Sequence, residues 1–165
     1  MENAYDADDT PLLPEGFHPM SLRQLRELCV VPFPNSTTRA MIMEGLESVC
    51  RRITGYRIPG ELWVNGSYVT VKADPRDVDV LLRVPGMFYD TCLSNQREAI
   101  RWATAPSLKT TYRVDAYLWA EYRAGDPRFP VSEDDREYWM RQFGQSRRGH
   151  RRGMAVLRLT EKLYE

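Results

Sequence analysis

The chain is poor in the residue types that most often declare a function. Lysine occurs only at Lys72, Lys109 and Lys162, histidine only at His18 and His150, and the formal net charge is zero. A balanced charge gives bulk electrostatics no case for a nucleic-acid partner. The three cysteines, Cys29, Cys50 and Cys92, lie far apart without Cys-x-x-Cys spacing. That pattern supports neither a disulfide framework nor a zinc site, and reads as reduced core cysteine. No apolar run approaches the ~20 residues of a membrane span. No basic stretch followed by an apolar one resembles a secretion signal. A cytoplasmic protein without a membrane partner is therefore expected. No Ser/His/Asp or Cys/His set stands out, and His18, flanked by prolines, reads as structural.

The 165 residues, 42% hydrophobic and 28% charged, suit one globular domain with a real core. Charge is unevenly placed. The first fifteen residues carry Glu2, Asp6, Asp8, Asp9 and Glu15 and no base, whereas the last third is rich in arginine. The guanidinium fork matches phosphate and carboxylate bidentately. A coding bias of the source genome would give the same excess. Arg147, Arg148, Arg151 and Arg152, beside His150, are thus candidate phosphate or acceptor contacts, or alternatively a solvated hairpin tip.

Residues 1–20, acidic and then rich in Pro and Gly, read as an extended N-terminal arm, with residues 21–165 as a single domain. Ser21 and Gln24 have capping-box spacing for a short helix that ends before Pro32. Ile42, Leu46, Val49 and Ile53 recur at helical spacing, with Asn35 to Thr38 as N-cap choices and Gly55 as the stop. Strands are expected at 62–64, 78–84, 112–119 and 153–160. Further helices are expected at 95–104 and from a Ser132 cap to about Phe143, with 125–130 and 145–152 as loops. The four tryptophans, Trp63, Trp102, Trp119 and Trp139, read as core or near-core.

The chemically informative stretch runs from Gly66 to Leu82. Asp77 and Asp79 open an apolar strand, and residues two apart on a strand share a face. Two carboxylates on one face of a hydrophobic strand repel each other and call for a cation. Mg²⁺ (or Mn²⁺) fits, being hard, oxygen-seeking and commonly shared with substrate phosphates. If the strand carrying Asp115 lies alongside, three carboxylates converge, as two-metal phosphoryl displacement needs. Gly66-Ser67 would let backbone and hydroxyl approach a phosphate closely. Lys72 and Arg76 are candidate phosphate contacts or solvated loop charges.

Gly66-Ser67, a spacer of nine residues, Asp77-Val78-Asp79 and a later strand aspartate resemble the signature of the polymerase-β nucleotidyltransferase superfamily. Leu13 to Pro19, Trp63 to Ser67, Asp77 to Val80 and Phe143-Gly144 to Gly153 are similar to the matching pieces of a small bacterial stand-alone family. The resemblance implies an α+β fold, a mixed β-sheet with helices packed mainly on one face. It implies Gly66 and Ser67 at a nucleoside triphosphate, and Asp77 and Asp79 as ligands of both metals. It implies Asp115 as a ligand of the catalytic metal that takes or positions the acceptor proton. Small stand-alone members often act as toxins or defence components, which favours RNA or protein as acceptor and a cognate regulatory protein as partner. The alternative expectation is a catalytically inactive nucleotide- or partner-binding module on the same scaffold. A nucleic-acid binder built on the C-terminal arginines is a third.

Overall fold

The computed structural model describes residues 7–165. Among them the chain forms an α+β fold of five strands and six α-helices: β1 (Gly16–Pro19), α1 (Leu22–Cys29), α2 (Arg39–Gly55), β2 (Glu61–Asn65), β3 (Val78–Pro85), α3 (Gly86–Thr91), α4 (Ser94–Ala103), α5 (Ser107–Tyr112), β4 (Val114–Glu121), α6 (Phe129–Gly144) and β5 (Gly153–Arg158). The strands make one mixed sheet, ordered β1-β5-β2-β3-β4. β2 runs antiparallel to β3 and β5, while β1 is parallel to β5 and β4 parallel to β3. No helix of the described residues is long and apolar enough to cross a membrane.

Alternation along the strands divides the core. Val78, Val80, Leu82 and Val84 of β3, with Leu62 and Val64 of β2, face α1, α2, α4 and α5. Leu81, Trp63, Trp119, Met154 and Val156 point to the other face and meet Phe143, Trp139 and Met140 of α6. These helices, joined by Phe88 and Tyr89 of α3, therefore cover one face, and α6 covers part of the other. Both Trp63 and Trp119 are buried, their rings edge to face at 5.7 Å. Cys29 and Cys50 are buried free thiols, pushed up to about 12 chiefly by burial, and Cys92 is half-buried and also free.

The first two helices have the expected signals. Ser21 and Gln24 form both bonds of the capping box on α1. α2 buries Ile42, Leu46, Val49 and Ile53, and Ser36 Oγ accepts from the Thr38 and Arg39 N–H groups at its start. It stops at Gly55 as expected, and Arg57, two residues on, takes the left-handed conformation that turns the chain away. Ser132 does not cap α6. The helix begins at Phe129 with Pro130 in its first turn, where a proline loses no hydrogen bond. Ser132 is buried inside it, accepting from the Tyr122 N–H. Residue 112, expected in a strand, ends the short helix α5 instead.

The segment expected as an arm is tied down over its described part, with Glu2 and Asp6 outside the described residues. The Leu12 N–H donates to Val69 and the Val71 N–H to Thr10. Gly16–Pro19 then adds β1 to the sheet edge beside β5. Asp9 pairs with the buried Arg152, and His18 bonds the Pro14 carbonyl at 2.7 Å.

Candidate functional site

β2, β3 and β4 present one polar row at the end of the α6-side face. Register puts Asn65 opposite Asp79 and Asp79 opposite Asp115. Asp77 lies two residues before Asp79, just ahead of β3. The next row holds Trp63, Leu81 and Tyr117, so the carboxylates abut an apolar, aromatic layer. Carboxylates on neighbouring strands stand roughly 5 Å apart, where repulsion is about 3 kcal/mol at an effective dielectric of about 20. The structure registers this strain at Asp79. Burial, then the charges of Asp77 and Asp115, push its carboxyl up to about 6 against the pull of Lys109 and Arg147.

Gly66 closes one side of the row. It adopts φ 83° and ψ −166°, a region essentially reserved for glycine, and its N–H donates to Asn65 Oδ1 at 2.8 Å. A Cβ there would lie 1.9 Å from Asp79 Oδ2. The glycine is therefore required both by its backbone angles and by the carboxylate it faces. Ser67 opens a single 3-10 turn ending at Val69, so no long helix N-terminus stands over the site.

What holds this loop is a buried arginine that sequence reading passed over. Arg39, fully buried at the start of α2, donates to the carbonyls of Cys29, Tyr68, Thr70 and Lys72 at 2.6–3.1 Å. Its guanidinium stacks on Phe33 at 3.8 Å. Three of the four carbonyls belong to the segment between Gly66-Ser67 and the aspartates. A charge without a carboxylate partner is tolerated here because oriented carbonyl dipoles replace its water.

The cations expected near the site part company. Arg147 is exposed on the loop after α6 and lies close enough to Asp79 to lower its carboxyl. Arg148 is exposed beside it, its N–H bonded to Ser146 Oγ. Arg151 pairs with Glu15 at 2.8 Å, and Arg152 is buried against Asp9, so Arg152 supports the fold rather than an acceptor. Lys72 and Arg76 are placed by their main chains: the Lys72 carbonyl accepts from Arg39 and the Arg76 carbonyl from Arg113.

One residue that sequence reading missed stands inside the cluster. Lys109 of α5 donates to Asp115 Oδ2 at 2.7 Å and lies 3.1 Å from Asp77 Oδ2. Those two contacts hold its ammonium above the usual lysine range. Arg113, in the left-handed conformation, turns α5 straight into β4 and sets Lys109 over the aspartates. The only sequence signal was a rare lysine six residues before Asp115. Tyr117, two residues after Asp115 and half-exposed, borders the same cluster and packs against Trp139 at 5.6 Å.

Residues 5–158 match a family of unknown function, DUF6932. The chain belongs to the DUF6932 family. No curated protein and no solved structure matches it. This DUF6932 member thus presents three carboxylates, a glycine cradle and two cations at one sheet end. As they stand, no group of three or more acidic, imidazole or thiol side chains among the described residues is placed to hold a metal ion. The donors nevertheless suit a hard cation: all are carboxylate oxygens, and they repel one another.

Proposed function

We propose that this protein is a Mg²⁺-dependent nucleotidyltransferase of the polymerase-β type, moving a nucleoside monophosphate from an NTP to a hydroxyl of an RNA or protein acceptor. One observation carries the reading. The side-chainless Gly66 lies directly against the Asp79 carboxylate, with Asp115 alongside in register on the next, parallel strand. That juxtaposition unites the two halves of the motif seen in the sequence. A close backbone approach for phosphate stands beside an acidic cluster suited to a divalent cation.

In this reading Asp77, Asp79 and Asp115 hold the cation, which when bound neutralises charge on the transferring phosphoryl group and acidifies the acceptor hydroxyl. Gly66 and Ser67 receive the triphosphate, and Arg147 adds positive charge at the rim. The acceptor oxygen attacks the α-phosphorus as the α–β bridging P–O bond breaks. Pyrophosphate leaves with the electron pair, and Asp115 takes the hydroxyl proton and passes it to water. Leu81, Trp63, Trp119 and Phe143 exclude solvent beneath the carboxylates.

The alternative, an inactive nucleotide- or partner-binding module, draws on Lys109, whose ammonium already neutralises Asp77 and Asp115. Label transfer separates the two. With each α-³²P-NTP, Mg²⁺ or Mn²⁺ and a cell extract, the enzyme labels one acceptor species, and Asp77→Ala/Asp79→Ala labels none. Absence of transfer with every nucleotide in a folded protein favours the binding module.

A further inference from the structure

Lys109 and a divalent cation need the same oxygens. Nζ lies 2.7 Å from Asp115 Oδ2 and 3.1 Å from Asp77 Oδ2. A divalent cation held by Asp77 and Asp115 would need the carboxylate oxygens that the ammonium now contacts. Charge opposes joint occupancy too, because an ammonium and a divalent cation against the same carboxylate oxygens repel each other at contact distance.

We propose that Lys109 is a built-in counter-ion that competes with the divalent cation for Asp77 and Asp115, and must swing out for the metal to enter. The inference rests on the metal site proposed above. Three features suit the lysine to this role. It anchors at the end of α5, outside the three strands that carry Asn65, Asp79 and Asp115, so its departure leaves that row in place. Its side chain is 53% exposed, so water can receive the displaced ammonium. The ion pairs it gives up are of the partly exposed kind that hold weakly. The left-handed Arg113 and the α5–β4 junction fix the base of the stem, leaving only the side-chain torsions to move.

The test is metal affinity, read without any transfer reaction. Free Mn²⁺ is followed by electron paramagnetic resonance at fixed pH in the full chain and in Lys109→Met and Lys109→Arg. Lys109→Met should bind Mn²⁺ about tenfold more tightly, since two ion pairs no longer compete, while Lys109→Arg should stay near the original affinity. Unchanged or weaker binding in Lys109→Met overturns the competition and leaves the metal site standing. No Mn²⁺ uptake by any of the three at millimolar concentration removes the metal site and the competition together. A second readout needs no variant that might misfold. The chain has three lysines, so their ε-carbon resonances can be assigned. Mg²⁺ should shift the Lys109 signal, and a bound Mg²⁺ that leaves it unmoved overturns the proposal.

Discussion

Asp79 Oδ2 occupies the position where a side chain on Gly66 would begin, 1.9 Å from an ideal Cβ. The carboxylate and the glycine exclude each other's enlargement. Gly66→Ala must either push Asp79 off its row or distort a loop already at φ 83°. We expect a stability loss of about 1–3 kcal/mol, visible as a lower midpoint in urea, with transfer falling by about 100-fold or more. A variant as stable and as active as the parent would show that the contact relaxes freely and that the cradle is not needed.

Gly45 makes the corresponding contact between helices. A Cβ on it would lie 2.0 Å from the Tyr112 carbonyl oxygen at the end of α5. On propensity alone, Gly45→Ala should stabilise α2 by about 1 kcal/mol. The collision is with backbone, which cannot rotate away, so the net effect expected is destabilisation by about 1–3 kcal/mol. Differential scanning calorimetry gives the sign directly, and a raised melting temperature would refute the packing argument.

Arg39 ties four carbonyls to the start of α2. Arg39→Ala strands several of them without donors, and a cost of about 3–5 kcal/mol is expected from chemical denaturation. Arg39→Lys restores charge but not the fork, and should recover less than half of the loss. Full recovery by lysine would mean that charge, not the geometry of the guanidinium, holds the segment.

Asp74 caps the entrance to α2. It accepts the Thr37 N–H at 2.7 Å, with the Ser36 and Thr37 hydroxyls at 3.0 and 3.2 Å, and these bonds, the Thr37 N–H first, lower its carboxyl below the ordinary range. A folded-state value below the unfolded one contributes stability that is full above the unfolded pKa, about 3.9, and fades as pH falls through the folded value. The parent should therefore melt higher than Asp74→Asn at pH 7, and the gap should begin to narrow below about pH 4 and shrink further as pH falls. A gap that stays constant down to about pH 2 would assign the effect to something other than the ionised carboxylate.

Much of the site was legible because strand geometry is periodic. Alternation alone puts Asp77 and Asp79 on one face of β3 and buries Val78, Val80, Leu82 and Val84 on the other. Local capping chemistry likewise announced α1, and apolar recurrence announced α2, since both signals lie within a few residues of the structure they specify. Short elements carried no such signal. α5 has six residues and β1 four, too few for a period to show, and Pro130 was read as loop when it marked a helix start.

What the chain order cannot express is which strands become neighbours. β5, last in sequence, inserts between β1 and β2, and β4 lies parallel to β3 because its connection passes over one face. That pairing alone brings Asp115 level with Asp79. The left-handed turn at Arg113 then brings Lys109 onto both Asp77 and Asp115. The sequence by itself determined the spacing of the aspartates, the face they share and the glycine that precedes them, because those follow from local geometry. Only the tertiary structure decided which cation sits among them and which buried arginine holds the loop beside them, because those contacts join residues brought together by packing.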